Sequence, residues 1–111
     1  MHWSKQGVDI LAHEDAIHEI KENSHSILER MKSYNRDKAA GTEVVIPNKS
    51  FSEKFIFTLG DLEFHVLHLG PAHGPGDTQV WLPQLSLIIA GDIAFHERML
   101  PVFENTCTKC W

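Results

Sequence analysis

The chain has 111 residues, 42% hydrophobic and 23% charged, with a net charge of −5 when its eight histidines are neutral. That length suits one domain with one modest core. The acidic balance leaves no broad basic surface for nucleic acid, and no apolar run approaches the roughly 20 residues that cross a bilayer.

The first ten residues, "MHWSKQGVDI", lack the long apolar core of a signal peptide, so a cytoplasmic protein is expected. "VDILAH" (8–13) reads as a strand. "EDAIHEIKENSHSILERMKSY" (14–34) reads as a helix. Ile17, Ile20, Ser24, Ile27, Leu28 and Met31 fall on one stripe at helical spacing. Glu14 and Asp15 suit the positive end of the helix dipole, and Lys32 suits the negative end. His18, Glu22, His25 and Glu29 share the opposite face at i, i+4, i+7 spacing. That face is read as solvated.

"NRDKAAGTE" (35–43) is a loop by composition. "VVIP" is a short strand or extended piece that Pro47 ends, and "NKSFSEK" is a connection. In "FIFTLGDLEFHVLHL" (55–69) two β-rich runs flank Gly60-Asp61, a strong two-residue hairpin signal. A turn centred there places Phe57 opposite Phe64 and Phe55 opposite Val66, on one sheet face. Their burial is expected to supply much of the core. His65 then points to the other face with Ile56 and Leu67.

"TQVWL" (78–82) and "LSLIIA" (85–90) form a second hairpin, spanning 78–90, around Pro83-Gln84. "LIIA" has the continuous apolarity of a strand covered on both faces. "FHERMLPVF" (95–103) has room for a helical turn before Pro101. Cys107 and Cys110 have CxxC spacing, but no second pair exists to complete a zinc site. They are read as ordinary tail thiols. The whole is an α/β (α+β) chain in a single unit, residues 1–111.

Chemistry concentrates in "HLGPAHGPGDTQVWLPQLSLIIAGD" (68–92). A hairpin centred between Pro83 and Gln84 sets residue 92 opposite residue 75, so Asp92 comes to the sheet end that carries His73. Gly74 and Gly76 allow a close backbone approach, and Asp77 and Thr78 can satisfy loop amides. A neutral imidazole and a carboxylate are suitable ligands for zinc or a similar divalent ion. By spacing alone they make two ligands, where catalytic zinc usually has three from the protein.

"GPAHGPGDTQVWLPQLSLIIAGD" closely resembles the central region of the metallo-β-lactamase superfamily. "QGVDILAHED" with its following helix resembles the segment just after that family's first metal motif. The resemblance covers roughly residues 4 to 106 and implies a partial αββα sandwich. Matched residue by residue, it implies that His73 is a ligand of the first metal and that Asp92 bridges two metals. The implied cofactor is Zn2+, or Mn2+ or Fe2+. The bridged ions hold a hydroxide that attacks an ester, amide, thioester or phosphodiester.

The family's HxHxDH motif is absent from the 111 residues. The nearest text is around His2, and the motif is expected upstream. The last histidine ligand has no counterpart after Asp92, and His96 matches no family role. The expected protein is therefore a truncated relative of a metal-dependent hydrolase, without an assembled dinuclear site or normal activity on its own. One alternative is a non-catalytic homo-oligomer or partner-binding module that uses an exposed sheet face or edge. A further alternative is a hydrolase whose site a second chain completes, or one that draws His2, His68 or His96 into a new constellation. No nucleic acid or membrane is expected as a partner, and the substrate is unknown.

Overall fold

The computed structural model describes residues 2–111. A single helical turn, α1 (His2–Lys5), leads into β1 (Leu11–His13), and β1 runs directly into the long helix α2 (Glu14–Asn35). β2 (Lys49–Phe51), β3 (Lys54–Leu59), β4 (Leu62–Leu67), β5 (Gln79–Leu82) and β6 (Leu87–Ile89) follow. β1 and β2 pair in parallel, with Leu11 opposite Lys49 and His13 opposite Phe51. The other four strands form an antiparallel sheet in the order β3-β4-β5-β6. The result is a mixed α/β architecture consistent with part of a metallo-β-lactamase-like sandwich.

The helix begins where the sequence supplies a cap. His13 holds extended backbone angles, and its ring accepts a hydrogen bond from the Asp15 amide. Glu14 and Asp15 occupy the first turn and Lys32 the last, as the dipole favours. The far end closes at Arg36, whose N–H donates to the Lys32 carbonyl at a φ of 48°. The expected stripe is only partly covered: Ile17, Ile20, Ser24 and Leu28 are half-buried, while Ile27 and Met31 are exposed. The opposite face is solvated as read, with His18 and Glu22 paired across one turn.

The first hairpin has the expected register. Phe57 lies opposite Phe64 and Phe55 opposite Val66, around Gly60 at a φ of 60°. The Phe57 and Phe64 rings stack at 4.9 Å. Their contribution to the core is smaller than expected, because β3 is an edge strand and Phe57 stays 40% exposed. The buried apolar residues among those described are Ala39, Phe51, Val66, Ala72 and Leu82. His65 lies half-buried opposite Ile56 and Trp81, and bonds to the Glu63 carboxylate two residues away on the same face.

Four local expectations change. The strand near residue 47 is not "VVIP" but "KSF" (49–51), inside the supposed connection, because β1 offers it a parallel partner. The second hairpin is centred one residue later than expected. Leu82 pairs with Leu87, and a 3₁₀ turn at Pro83–Leu85 ends at Ser86 in the left-handed region. "LIIA" is not covered on both faces: Leu87, Ile88 and Ile89 are each about half exposed, because β6 is the sheet edge. No helical turn forms in 95–103; a 3₁₀ turn sits earlier, at Gly91–Ile93.

Candidate metal centre

The loop after β4 carries His68 and His73 and docks on the first turn of α2. Gly76 makes that docking possible. A Cβ added there would lie 2.4 Å from the Ala16 nitrogen and 2.5 Å from its Cβ, so any side chain collides. The loop satisfies its own amides as the sequence suggests. The Asp77 carboxylate accepts from the Gly74 N–H at 2.9 Å, and the Thr78 hydroxyl donates to the Gly76 carbonyl at 3.1 Å.

His73 is half-buried beneath the carboxy-terminal segment. Its Nδ1 donates to the Pro101 carbonyl at 3.1 Å, since a carbonyl can only accept. The ring packs edge-on against Phe103 at 5.3 Å and Trp111 at 5.7 Å. Thr106 Oγ1 donates to the His73 carbonyl, and the Cys107 N–H donates to that of Ala72. Cys107 and Cys110 are joined in a disulfide rather than left as thiols. The bridge holds the last turn of the chain together beside this loop. The loop borders an open cleft of about 740 Å³ against α2, with Glu19, Arg30, Asp77 and Asn105 also on its walls.

Asp92 is exposed in the Gly91–Ile93 turn. The expected position opposite residue 75 does not hold. The β5–β6 pairing ends at Val80 and Ile89, and its register, continued, points Asp92 toward Asp77 instead. The turn nonetheless stays at the same end of the sheet as His73. The Trp111 indole N–H donates to the Ile93 carbonyl at 2.7 Å while its ring covers His73.

A second group of donors brings together the β1–α2 junction and the start of the same loop. His13, Asp15 and His68 each offer a ligand atom, and the three atoms lie within 4.8 Å of one another. The rings of His13 and His68 stack at 3.7 Å with planes 23° apart. His13 is 4% exposed. Its Nε2–H donates to the Ser52 carbonyl at 2.6 Å, so Nδ1 carries the lone pair that caps α2. His68 Nδ1–H donates to the Asp77 carbonyl at 2.8 Å, which leaves its lone pair on Nε2. Sequence reading named His68 only among alternatives and missed His13 and Asp15. The available signal was "HED" at a strand–helix junction, and it reads first as a helix cap.

The metallo-beta-lactamase superfamily model matches residues 1–104. The chain belongs to that superfamily. No curated protein sequence matches it. As a member of the superfamily the chain is a metallo-hydrolase-like module, and its described residues hold a partial metal-ligand cluster of two imidazoles and one carboxylate. No helix among those described is long and apolar enough to cross a membrane.

Proposed function

We propose that the chain is a fragmentary metallo-hydrolase module: it keeps part of the superfamily's metal-ligand set and does not hydrolyse substrates on its own. The observation that carries this reading is the ligand inventory. By the resemblance of the sequence around them, His73 and Asp92 would take the places of two superfamily ligands, and no HxHxDH sequence exists in the 111 residues to supply others. The setting of His73 supports a ligand role, because a ligating histidine usually donates its other ring N–H to a carbonyl or carboxylate. Its Nδ1 does so to Pro101. Zn2+ is the first choice of ion, with Mn2+ and Fe2+ next. One imidazole and one carboxylate fall short of the three protein ligands of an ordinary zinc site, so no catalytic step is assigned to this pair.

The test is metal content per chain together with hydrolysis of p-nitrophenyl esters and phosphodiesters, for the wild type and for His73→Ala. Little turnover is expected with any added divalent ion. Turnover that vanishes in His73→Ala would overturn the reading.

A second reading is self-association through β6, and one observation favours it. Residues 85–91, "LSLIIAG", place an uncharged apolar strand at a sheet edge, whereas natural edges are usually blunted by charge or proline. A second copy could also bring further histidines to the His73 end. We place the protein in the cytoplasm, where the Cys107–Cys110 disulfide would be reduced to two thiols. Thiol counting on protein alkylated at lysis checks this.

A further inference from the structure

We infer that His13, His68 and Asp15 form a binding site for one divalent late first-row transition ion, separate from the His73 and Asp92 pair. The inference rests on residues to which the superfamily resemblance gives no role, so it stands or falls independently of the proposed function.

The first support is the bonding of the two imidazoles. Each gives its N–H to a backbone carbonyl, Ser52 for His13 and Asp77 for His68. Those carbonyls fix the tautomers and leave one lone-pair nitrogen per ring, the arrangement in which histidines ligate metals. The second support is convergence. Asp15 Oδ2 lies 3.6 Å from His13 Nδ1, and the donor atoms of all three residues fall within 4.8 Å of one another. Ligands about 2 Å from a common tetrahedral or octahedral ion are separated by roughly 3 to 4 Å, so small movements suffice.

The third support is rigidity. His13 is buried at the junction of β1 and α2, between Phe51 and His68. Its partner residues come from segments fixed by the β1–β2 pairing and by the Gly76 contact with Ala16.

Two adjustments accompany binding. The Asp15 amide yields its bond to His13 Nδ1, which at 3.2 Å is the longest of the three ring hydrogen bonds in the cluster. The His68 ring also tilts away from its stack, pivoting about the Nδ1 bond to Asp77, so that both lone pairs reach one ion. Asp15, exposed on α2, closes the third position and leaves the outer side to water. Two nitrogen donors and one oxygen select zinc, cobalt or nickel over magnesium or calcium, which prefer all-oxygen sites.

The experiment titrates the chelator-treated full chain with CoCl2. It follows the cobalt visible spectrum and the paramagnetic broadening of histidine ring proton signals. One equivalent is expected to broaden His13 and His68. The His68→Asn variant, whose amide nitrogen takes the place of ring Nδ1 and can still donate to the Asp77 carbonyl, should weaken binding by more than about tenfold. Asp15→Asn should weaken it less. The His73→Ala/Asp92→Ala double variant should keep the cobalt broadening of the His13 and His68 ring signals. Far-UV circular dichroism confirms that each variant folds. Broadening confined to His73, unchanged affinity in His68→Asn, or no cobalt uptake by the wild type would each overturn the inference.

Discussion

At the scale of single residues, the most constrained position is Gly76. Its backbone rests on Ala16, and an added methyl would sit 2.4 Å from a main-chain nitrogen that cannot swing aside. Overpacking of this kind costs about 1–3 kcal/mol. Gly76→Ala should therefore lower stability by that amount in urea unfolding, whereas Gly74→Ala, whose new Cβ would meet nothing nearer than 3.8 Å, should be far milder. His13 bears a different load, capping α2 while bonding Ser52 from within the fold. His13→Ala should cost about 0.5–2 kcal/mol, the usual range for a lost cap. His13→Asn should recover part of it, because asparagine caps well but is too short to keep the Ser52 bond. Equal losses in the two variants would show that the cap contributes nothing. The loop chemistry of 73–78 was legible in the sequence because Asp77 and Thr78 act on neighbours two or three residues away. The His13 cluster was not. Its partners are 39 and 55 positions distant in the chain, and only the parallel pairing of β1 with β2 and the docking of the loop bring them together.

At the scale of elements, the two hairpins show what a local pattern can and cannot specify. Gly60-Asp61 fixes a two-residue turn, so every pair in β3–β4 follows from it. The second connection has four residues, and its left-handed position is filled by Ser86 rather than by a glycine that would have marked it. The register moved by two residues, which keeps each side chain on its expected face but shifts Asp92 along the sheet. The β1–β2 pair is also tied by charge. Lys49 Nζ lies 2.7 Å from Asp9 Oδ2, and that hydrogen bond is the main reason the Asp9 carboxyl titrates below its ordinary value. A carboxyl depressed in the folded state adds stability above its unfolded pKa and loses it as pH falls through the folded value. The junction should thus loosen at acid pH, below the ordinary carboxylate range. Both groups are exposed, so the effect should be small and should fade in high salt. Amide exchange at Ile10 and Lys49, which bond to Asn48 Oδ1 and to the Ile10 carbonyl, reads it directly. Asp9→Asn should flatten the pH dependence; an unchanged profile would assign the acid response elsewhere.

At the scale of the whole molecule, the surface is too large for the chain. The accessible area is 8367 Å², while a compact monomer of this mass exposes about 6,200 Å². The radius of gyration is 15.7 Å, against about 13 Å for a globular domain of this length. The excess is apolar where it can be located: Leu87, Ile88 and Ile89 on the β6 edge, Ile56, Phe57 and Leu59 on the β3 edge, and Ile27 and Met31 on α2. Much of this was foreseeable from an α/β chain carrying part of a sandwich, but the location was not, because "LIIA" reads in sequence as a buried strand and is an edge here. An excess near 2,000 Å² per chain, about 4,000 Å² for a pair of chains, falls within the roughly 2,000–5,000 Å² total that obligate interfaces bury. The purified chain should accordingly be a dimer or larger by light scattering, with antiparallel β6–β6 pairing the economical geometry, since it satisfies both free edges at once. Ile88→Lys places a charge on that edge without touching the buried residues, and it should shift the mass toward monomer while the circular dichroism spectrum is kept. A monomer in the wild type at micromolar concentration would mean that the exposed faces are tolerated or are covered by another molecule, and would remove self-association as an explanation for the extra surface.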